Sequence, residues 1–240
     1  MEFGLDDEQQ MIVQTIRRFA DRDLRGWAAD ADRNAVPPER LHAIGAELGC
    51  FVDAVPAASD GLLEGTYSHT TRALRGFELG RGCAGLAALL ETNVEPALAV
   101  ATWGSAAARE ALFASLVGGG LASFWHDSGR RLEIDDAGGE LRVTGKLGPA
   151  PALAAASHVL VAARDLLFLL PAEGVSRQPI TPSGWRAARW ATAMLEAHRV
   201  PADHVLARGE PARAAIADVL SWARTSLAAR AAGVAVGAME

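Results

Sequence analysis

His126, Asp127 and Ser128 together supply the three residue types of a hydrolase triad: a base, an orienting carboxylate and a nucleophile. Neighbours on an extended strand point to opposite faces, so these three do not converge on one reacting atom. An exposed loop is the better reading. His198 and His204 flank Val200-Pro201 at a spacing that suits no zinc site, and no cysteine or carboxylate cluster joins them. Surface histidines are expected there. Gly118-Gly119-Gly120 lacks the Lys-Ser or Lys-Thr helix start of a phosphate loop, which leaves a hinge between domains. Cys50 and Cys83 lie beside apolar residues with no base nearby in sequence, as buried inert thiols do.

The elements that must carry these residues follow from periodicity. Asp6 with Gln9 three residues on has the pattern of a capping box. Behind it Ile12, Ile16, Phe19 and Ala20 fall on one helical face. Pro37-Pro38 breaks the chain, and Leu41, Ile44 and Leu48 make a second stripe that Gly49 ends. Tyr67, Leu74 and Phe77 start a helix whose alanine-rich sequence continues towards Val100, and Ser105 caps a further one. After the triple glycine the period shortens to two. Strands are predicted at 121–125, 132–134, 141–143, 158–161, 166–170, 175–180, 193–195 and 204–206, with a turn at 136–139. From Pro211 to Glu240 a last helix carries Ile216, Leu220, Ala223, Leu227, Ala231, Val234 and Ala238 at helical spacing. That stripe runs to the last residue without a stop signal, so it is expected to bury itself against another chain or against further sequence.

Composition narrows the class. The chain has 240 residues with 23 basic and 29 acidic side chains, a net charge of −6, and half its residues are hydrophobic. That excludes a wholly disordered chain and argues against tracking a nucleic-acid backbone. Two cysteines make no disulfide scaffold and fit a reducing compartment. The acidic opening does not read as a signal peptide, and no apolar run approaches the ~20 residues of a membrane span. A cytoplasmic protein with neither membrane nor nucleic-acid partners is expected.

Taken in order, these segments resemble the acyl-CoA dehydrogenase family. Phe3-Gly-Leu-Asp-Asp-Glu-Gln-Gln10 with Ile16-Arg-Arg-Phe-Ala20 is similar to the family's first helix, and Leu48-Gly-Cys-Phe with Val55-Pro56 to its "Leu-Gly … Val-Pro" passage. Trp103-Gly104 with Leu112 and Gly118 resembles a later N-terminal helix, Val143-Thr-Gly-Lys146 the β-domain signature, and Val200-Pro-Ala-Asp-His-Val-Leu206 the "Val-Pro-x-x-x-Val-Leu" exit. Arg224, Ala228-Ala229 and Gly233 resemble the first helix of the C-terminal bundle. The resemblance implies an α+β fold: an all-α N-terminal domain (1–118), a middle antiparallel β-barrel domain (119–208) and the start of a C-terminal helical bundle (209–240).

It also implies flavin adenine dinucleotide, held by a "Leu-Thr-Glu-Pro-x-x-Gly-Ser-Asp" loop and a "Trp-Ile-Thr" wall. Here the first stretch reads Phe124-Trp-His-Asp-Ser-Gly129 and the second Leu147-Gly-Pro-Ala150. Trp125 and Ser128 are what remains to contact the cofactor, so the chain alone is expected to hold it weakly. Arg130, Arg131 and Arg224 are the candidates for the phosphates of an acyl-CoA ligand. Most of the bundle that carries the family's catalytic carboxylate is not in this sequence, and no catalytic residue is assigned. Glu240 is the only carboxylate on the last helix after Asp218. Two functions compete. One is a non-catalytic or partner-dependent subunit acting with a homologous subunit in acyl-CoA α,β-desaturation, within lipid metabolism. The other is a self-sufficient flavoenzyme whose remaining bundle lies in further sequence. A poorly folding gene remnant is the third reading.

Overall fold

The capping box at Asp6 and Gln9 forms. The Asp6 carboxylate accepts from the Gln9 amide at 2.8 Å, and the Asp6 amide donates to the Gln9 side chain at 3.3 Å. It starts α1, Asp7–Phe19, which passes through a π-helical turn, Ala20–Leu24, into α2, Arg25–Arg33. Ile16, Phe19, Leu24 and Trp27 form its buried side. The computed structural model describes residues 4–34, 36–129, 131–136 and 140–240. α3, Pro38–Glu47, opens on a proline whose missing N–H has no partner in a first turn anyway. It ends before Gly49, whose φ of 64° is the left-handed stop expected of that residue. α4 (His69–Gly82), α5 (Ala84–Leu90), α6 (Val94–Trp103) and α7 (Ala106–Val117) complete the helical part. Ser105 caps α7, accepting from the Ala108 amide at 3.0 Å.

Eight strands follow: β1 (Leu121–Asp127), β2 (Leu132–Asp136), β3 (Glu140–Ala150), β4 (Ala156–Ala163), β5 (Leu166–Pro171), β6 (Ser176–Pro179), β7 (Ala191–Pro201) and β8 (Val205–Arg208). The residues 137–139 of the predicted turn lie outside the described residues. The strands form two four-stranded sheets, ordered β1-β4-β5-β8 and β2-β3-β7-β6. All recorded pairings are antiparallel except β1 with β4, which run parallel with Ala122 opposite His158 and Asp127 opposite Ala163.

The first sheet is covered on both faces, which is why β4 and β5 read as unbroken apolar runs. Ala122, Leu160, Ala162, Leu167 and Leu169 pack on the helices, while Trp125, Val159, Val161, Phe168 and Leu170 pack on the second sheet. The second sheet is covered on one face only and alternates: Leu141, Val143 and Leu147 are buried between exposed Arg142, Thr144 and Lys146 or their neighbours. Between α5 and α6, Thr92 donates to the Ala122 carbonyl at 2.8 Å, and the Asn93 side chain accepts from the Ala122 amide at 2.8 Å. These bonds fix the helical part against β1.

α8, Gly209–Gly237, is a single helix laid across α4. Its buried face differs from the predicted stripe. Ala212, Ala215, Ile216 and Val219 enter the core, but farther along the buried positions are Ser226 and Gly233. Leu227 and Val234 stand 47% and 37% exposed. The reason is the close approach of α4, which admits only small side chains at the contact. β-Carbons at Gly80 and Gly237 would lie 2.5 Å from the carbonyl oxygens of Arg230 and Arg81.

Candidate functional site

Strand alternation separates the residues that the sequence singles out. On β1, Phe124 packs against the helical side and Trp125 is buried between the two sheets. Asp127 is buried too, which corrects the exposed-loop expectation. Its carboxylate accepts from the amides of Arg131 (2.8 Å) and Leu132 (3.1 Å), so it builds the β1–β2 turn. Ser128 is exposed in that turn, and no triad forms. Arg130 lies outside the described residues. Arg131 is exposed and reaches back to Gly148, where a β-carbon would meet its guanidinium at 3.2 Å and the Trp125 indole nitrogen at 3.3 Å. Arg224 is exposed on α8, next to Ala223.

The histidine expectation fails for His204, which is buried with its ring 6.5 Å from that of His158. His198 is half-buried, and its Nε2 donates to the Pro171 carbonyl at 2.8 Å. Cys50 is fully buried, and burial pushes its thiol up to about 12, as an inert thiol requires. Cys83 is only half-buried, though burial raises its thiol as well. Among the described residues no group of metal-ligating side chains gathers.

A cleft of about 250 Å³ opens where α5, α6, β1 and α8 meet the segment before β7. Its walls are Phe124, Trp185, Trp190 and Leu227, and Glu91, Glu95 and Arg230 also line it. The two tryptophans bracket a single 3₁₀ turn, Arg186–Ala188. Trp185 (φ 58°) and Arg189 (φ 50°), at either end of that turn, have left-handed backbones, which side chains with a β-carbon rarely adopt. The Trp190 indole donates to the Trp185 carbonyl at 2.8 Å and closes the turn. Gly85 of α5 lets it seat, since a β-carbon there would stand 3.0 Å from that of Ala187.

Beneath the walls lies a buried charge network. Arg75 donates to Glu91 at 3.1 Å and to Asp53 at 2.7 Å, and Arg72 donates to Glu95 at 2.8 Å. From α8, the Ser226 hydroxyl donates to Glu91 at 3.0 Å and Arg230 approaches it at 3.6 Å. Burial alone would raise the Glu91 carboxyl, but Arg75, Arg72 and Arg230 outweigh it and hold the group below the usual carboxylate range. Sequence reasoning passed over all of these residues. Their one local signal is Glu91 closing the apolar run Leu86–Leu90, a charge where a core residue belongs.

Residues 6–120 match the family model described as "Acyl-CoA dehydrogenase, N-terminal domain". A search of curated proteins gave no match. Among solved structures, a glutaryl-CoA dehydrogenase from Mycobacterium smegmatis in complex with FADH2 is 22% identical, with a TM-score of 0.76 over 95% of this chain and 62% of its own. Butyryl-CoA dehydrogenase from Megasphaera elsdenii is 20% identical, with a TM-score of 0.85 over 99% of this chain and 68% of its own. FkbI, described for biosynthesis of a methoxymalonyl extender unit, is 26% identical, with a TM-score of 0.73 over 92% of this chain and 65% of its own. The chain thus spans 62% to 68% of the length of these three relatives. Residues 6–120 thus match the N-terminal domain of the acyl-CoA dehydrogenase family, and the chain as a whole has the fold of these dehydrogenases.

Proposed function

We propose that this chain takes part in acyl-CoA α,β-desaturation in the cytoplasm as a non-catalytic, partner-dependent subunit. The pairing around the aromatic cleft carries this reading. Taking an α-proton from an acyl thioester needs a carboxylate that is free and within hydrogen-bond reach of it. Both carboxylates that line the cleft, Glu91 and Glu95, are buried and bonded to arginines. Glu240 does not line it and is held by Arg81 at 2.6 and 2.7 Å and by Arg25. In this reading a homologous partner subunit supplies the base.

The flavin belongs to that assembly in the same reading. FAD does not fit the two contacts that the sequence leaves for it: Trp125 is buried between the sheets, Ser128 is exposed in a turn, and neither lines the cleft. Arg224, on the helix turn that carries Ala223 at the cleft, offers a guanidinium to an acyl-CoA phosphate. The exposed Leu227 and Val234, two turns apart on α8, are the apolar contact for the partner.

The test is co-expression with a family member that retains its own carboxylate, followed by light scattering and visible spectroscopy. The expected result is a complex whose flavin comes with the partner, and which disperses when Leu227→Glu and Val234→Glu are combined. Stoichiometric flavin in the chain purified alone, or an assembly that survives both substitutions, overturns the reading.

A further inference from the structure

The core uses only part of the apolar stripe on α1. Ile16 and Phe19 are buried, but Met11 stands 62% exposed and Ile12 is half-buried. Met11, Ile12 and Ile16 line a groove of about 420 Å³ between α1, the end of α3 and the start of α4. With Glu8 and Thr15 they follow one helical face, and Leu48 lines the groove from α3. No residue of α1 or α3 lines the aromatic cleft, so the groove is a separate feature.

Arg75 of α4 also lines this groove. It is only 9% exposed, and its Nε and Nη1 are bonded to Glu91 and Asp53. Among the described residues its buried Nη2 has no partner. A buried donor left unpaired costs free energy, which an acceptor entering the groove recovers. A neutral acceptor suits it best, because Glu91 and Asp53 already balance the guanidinium charge. An anion would also meet Glu8 and Glu47, two exposed carboxylates that line the same groove. Glu47 is the last residue of α3, where the helix dipole disfavours a negative charge. The charge of Arg22 acts on it, but Arg22 is itself bonded to Asp23 at 2.7 Å. The groove therefore asks for three things at once: apolar surface, a neutral acceptor and a cation.

We propose that this groove docks a segment of a partner protein that carries an aliphatic side chain beside a basic one. The aliphatic side chain covers Met11, Ile12 and Leu48. A main-chain carbonyl of the segment is the neutral acceptor for Arg75 Nη2, and its lysine or arginine complements Glu8 and Glu47. The inference does not rest on the acyl-CoA reading. The contact is also separate from Leu227 and Val234 on α8, so its failure leaves the subunit assignment standing.

The test titrates the full chain, labelled at its methionine methyl groups, with the peptide acetyl-Ala-Leu-Leu-Ala-Lys-Lys-amide and follows the signals by NMR. The Met11 methyl is expected to shift with a Kd of about 1 mM, while those of Met194 and Met239, exposed on β7 and after α8, stay in place. Glu8→Gln combined with Glu47→Gln is expected to weaken binding about fivefold, the worth of two exposed charge pairs. Thr15→Trp, at an exposed position on the groove wall, is expected to fill the space and abolish the shift. Met11 unmoved in the unaltered chain overturns the proposal, as does an equal shift of Met194. So does an analogue with glutamates in place of the two lysines that binds as well. The last control is Glu64→Gln with Glu173→Gln, which removes the same charge from exposed positions elsewhere. A loss from that pair equal to the loss from the groove pair shows attraction to net charge alone and ends the idea.

Discussion

Gly233 of α8 lies against Phe77 of α4 so closely that a β-carbon on it would stand 1.9 Å from the Phe77 carbonyl oxygen. The obstacle is backbone and cannot rotate away. This contact explains why a helix with an apolar stripe on paper buries serine and glycine instead.

Gly233→Ala is therefore expected to destabilise the fold by about 2 kcal/mol or more, the range of overpacking in a rigid contact. Helix propensity alone predicts the opposite sign, a gain of up to about 1 kcal/mol. Gly26→Ala in α2, where a β-carbon meets nothing within 4 Å, is expected to show that gain. Urea unfolding of the two variants checks the contrast, and equal midpoints would contradict the packing argument.

Glu91 is 0% exposed and faces Arg75, Arg230 and the Ser226 hydroxyl. Glu91→Gln leaves buried guanidinium groups without their anion and is expected to cost about 3–5 kcal/mol. The pH dependence has a definite sign. The folded carboxyl is held below its unfolded value, so its contribution is complete above the unfolded range of about 4.3 and is lost as the pH falls through the lower folded value. The stability gap between wild type and Glu91→Gln should thus close in acid. A gap that stays constant down to low pH argues against the ion pair as its cause.

His158 accepts or donates a bond with the Ser157 hydroxyl at 3.1 Å and lies beside His204. Burial, and secondarily the His204 charge, lowers its pKa to about 4. Its ring is then neutral at pH 7. Because the folded value is below the unfolded one of about 6.5, the stability it allows is complete above that pH and declines as pH falls towards 4. Imidazole proton shifts in an NMR titration give the midpoint directly. A midpoint near 6.5 would show the ring to be solvated.

The local elements were legible because their causes are local. A capping box needs two side chains three residues apart, and Asp6 and Gln9 supply them within one turn. Ser105 caps the Ala108 amide three residues on, Gly49 ends its helix by its own left-handed backbone, and the predicted strands recur because alternation and unbroken apolar runs are both properties of adjacent residues. The resemblance was legible for a related reason: short motifs keep their order along the chain, and residues 6–120 match the family's N-terminal domain.

The site depends on contacts across the chain. Ser226 meets Glu91 from 135 positions away, and Arg75 meets it from 16. No period in the sequence marks such partners. Asp127 reads as part of an exposed loop because its type suggests water, and only the arrival of the Arg131 and Leu132 amides makes its burial tolerable. His204 and the buried face of α8 were misjudged for the same reason. Residue type sets what a side chain can bond to, but burial is decided by which other element arrives against it. The aromatic cleft is walled by one turn, whose left-handed residues Trp185 and Arg189 no propensity would choose. Tertiary packing on Gly85 holds that turn in place, so the structure alone decided where these side chains meet.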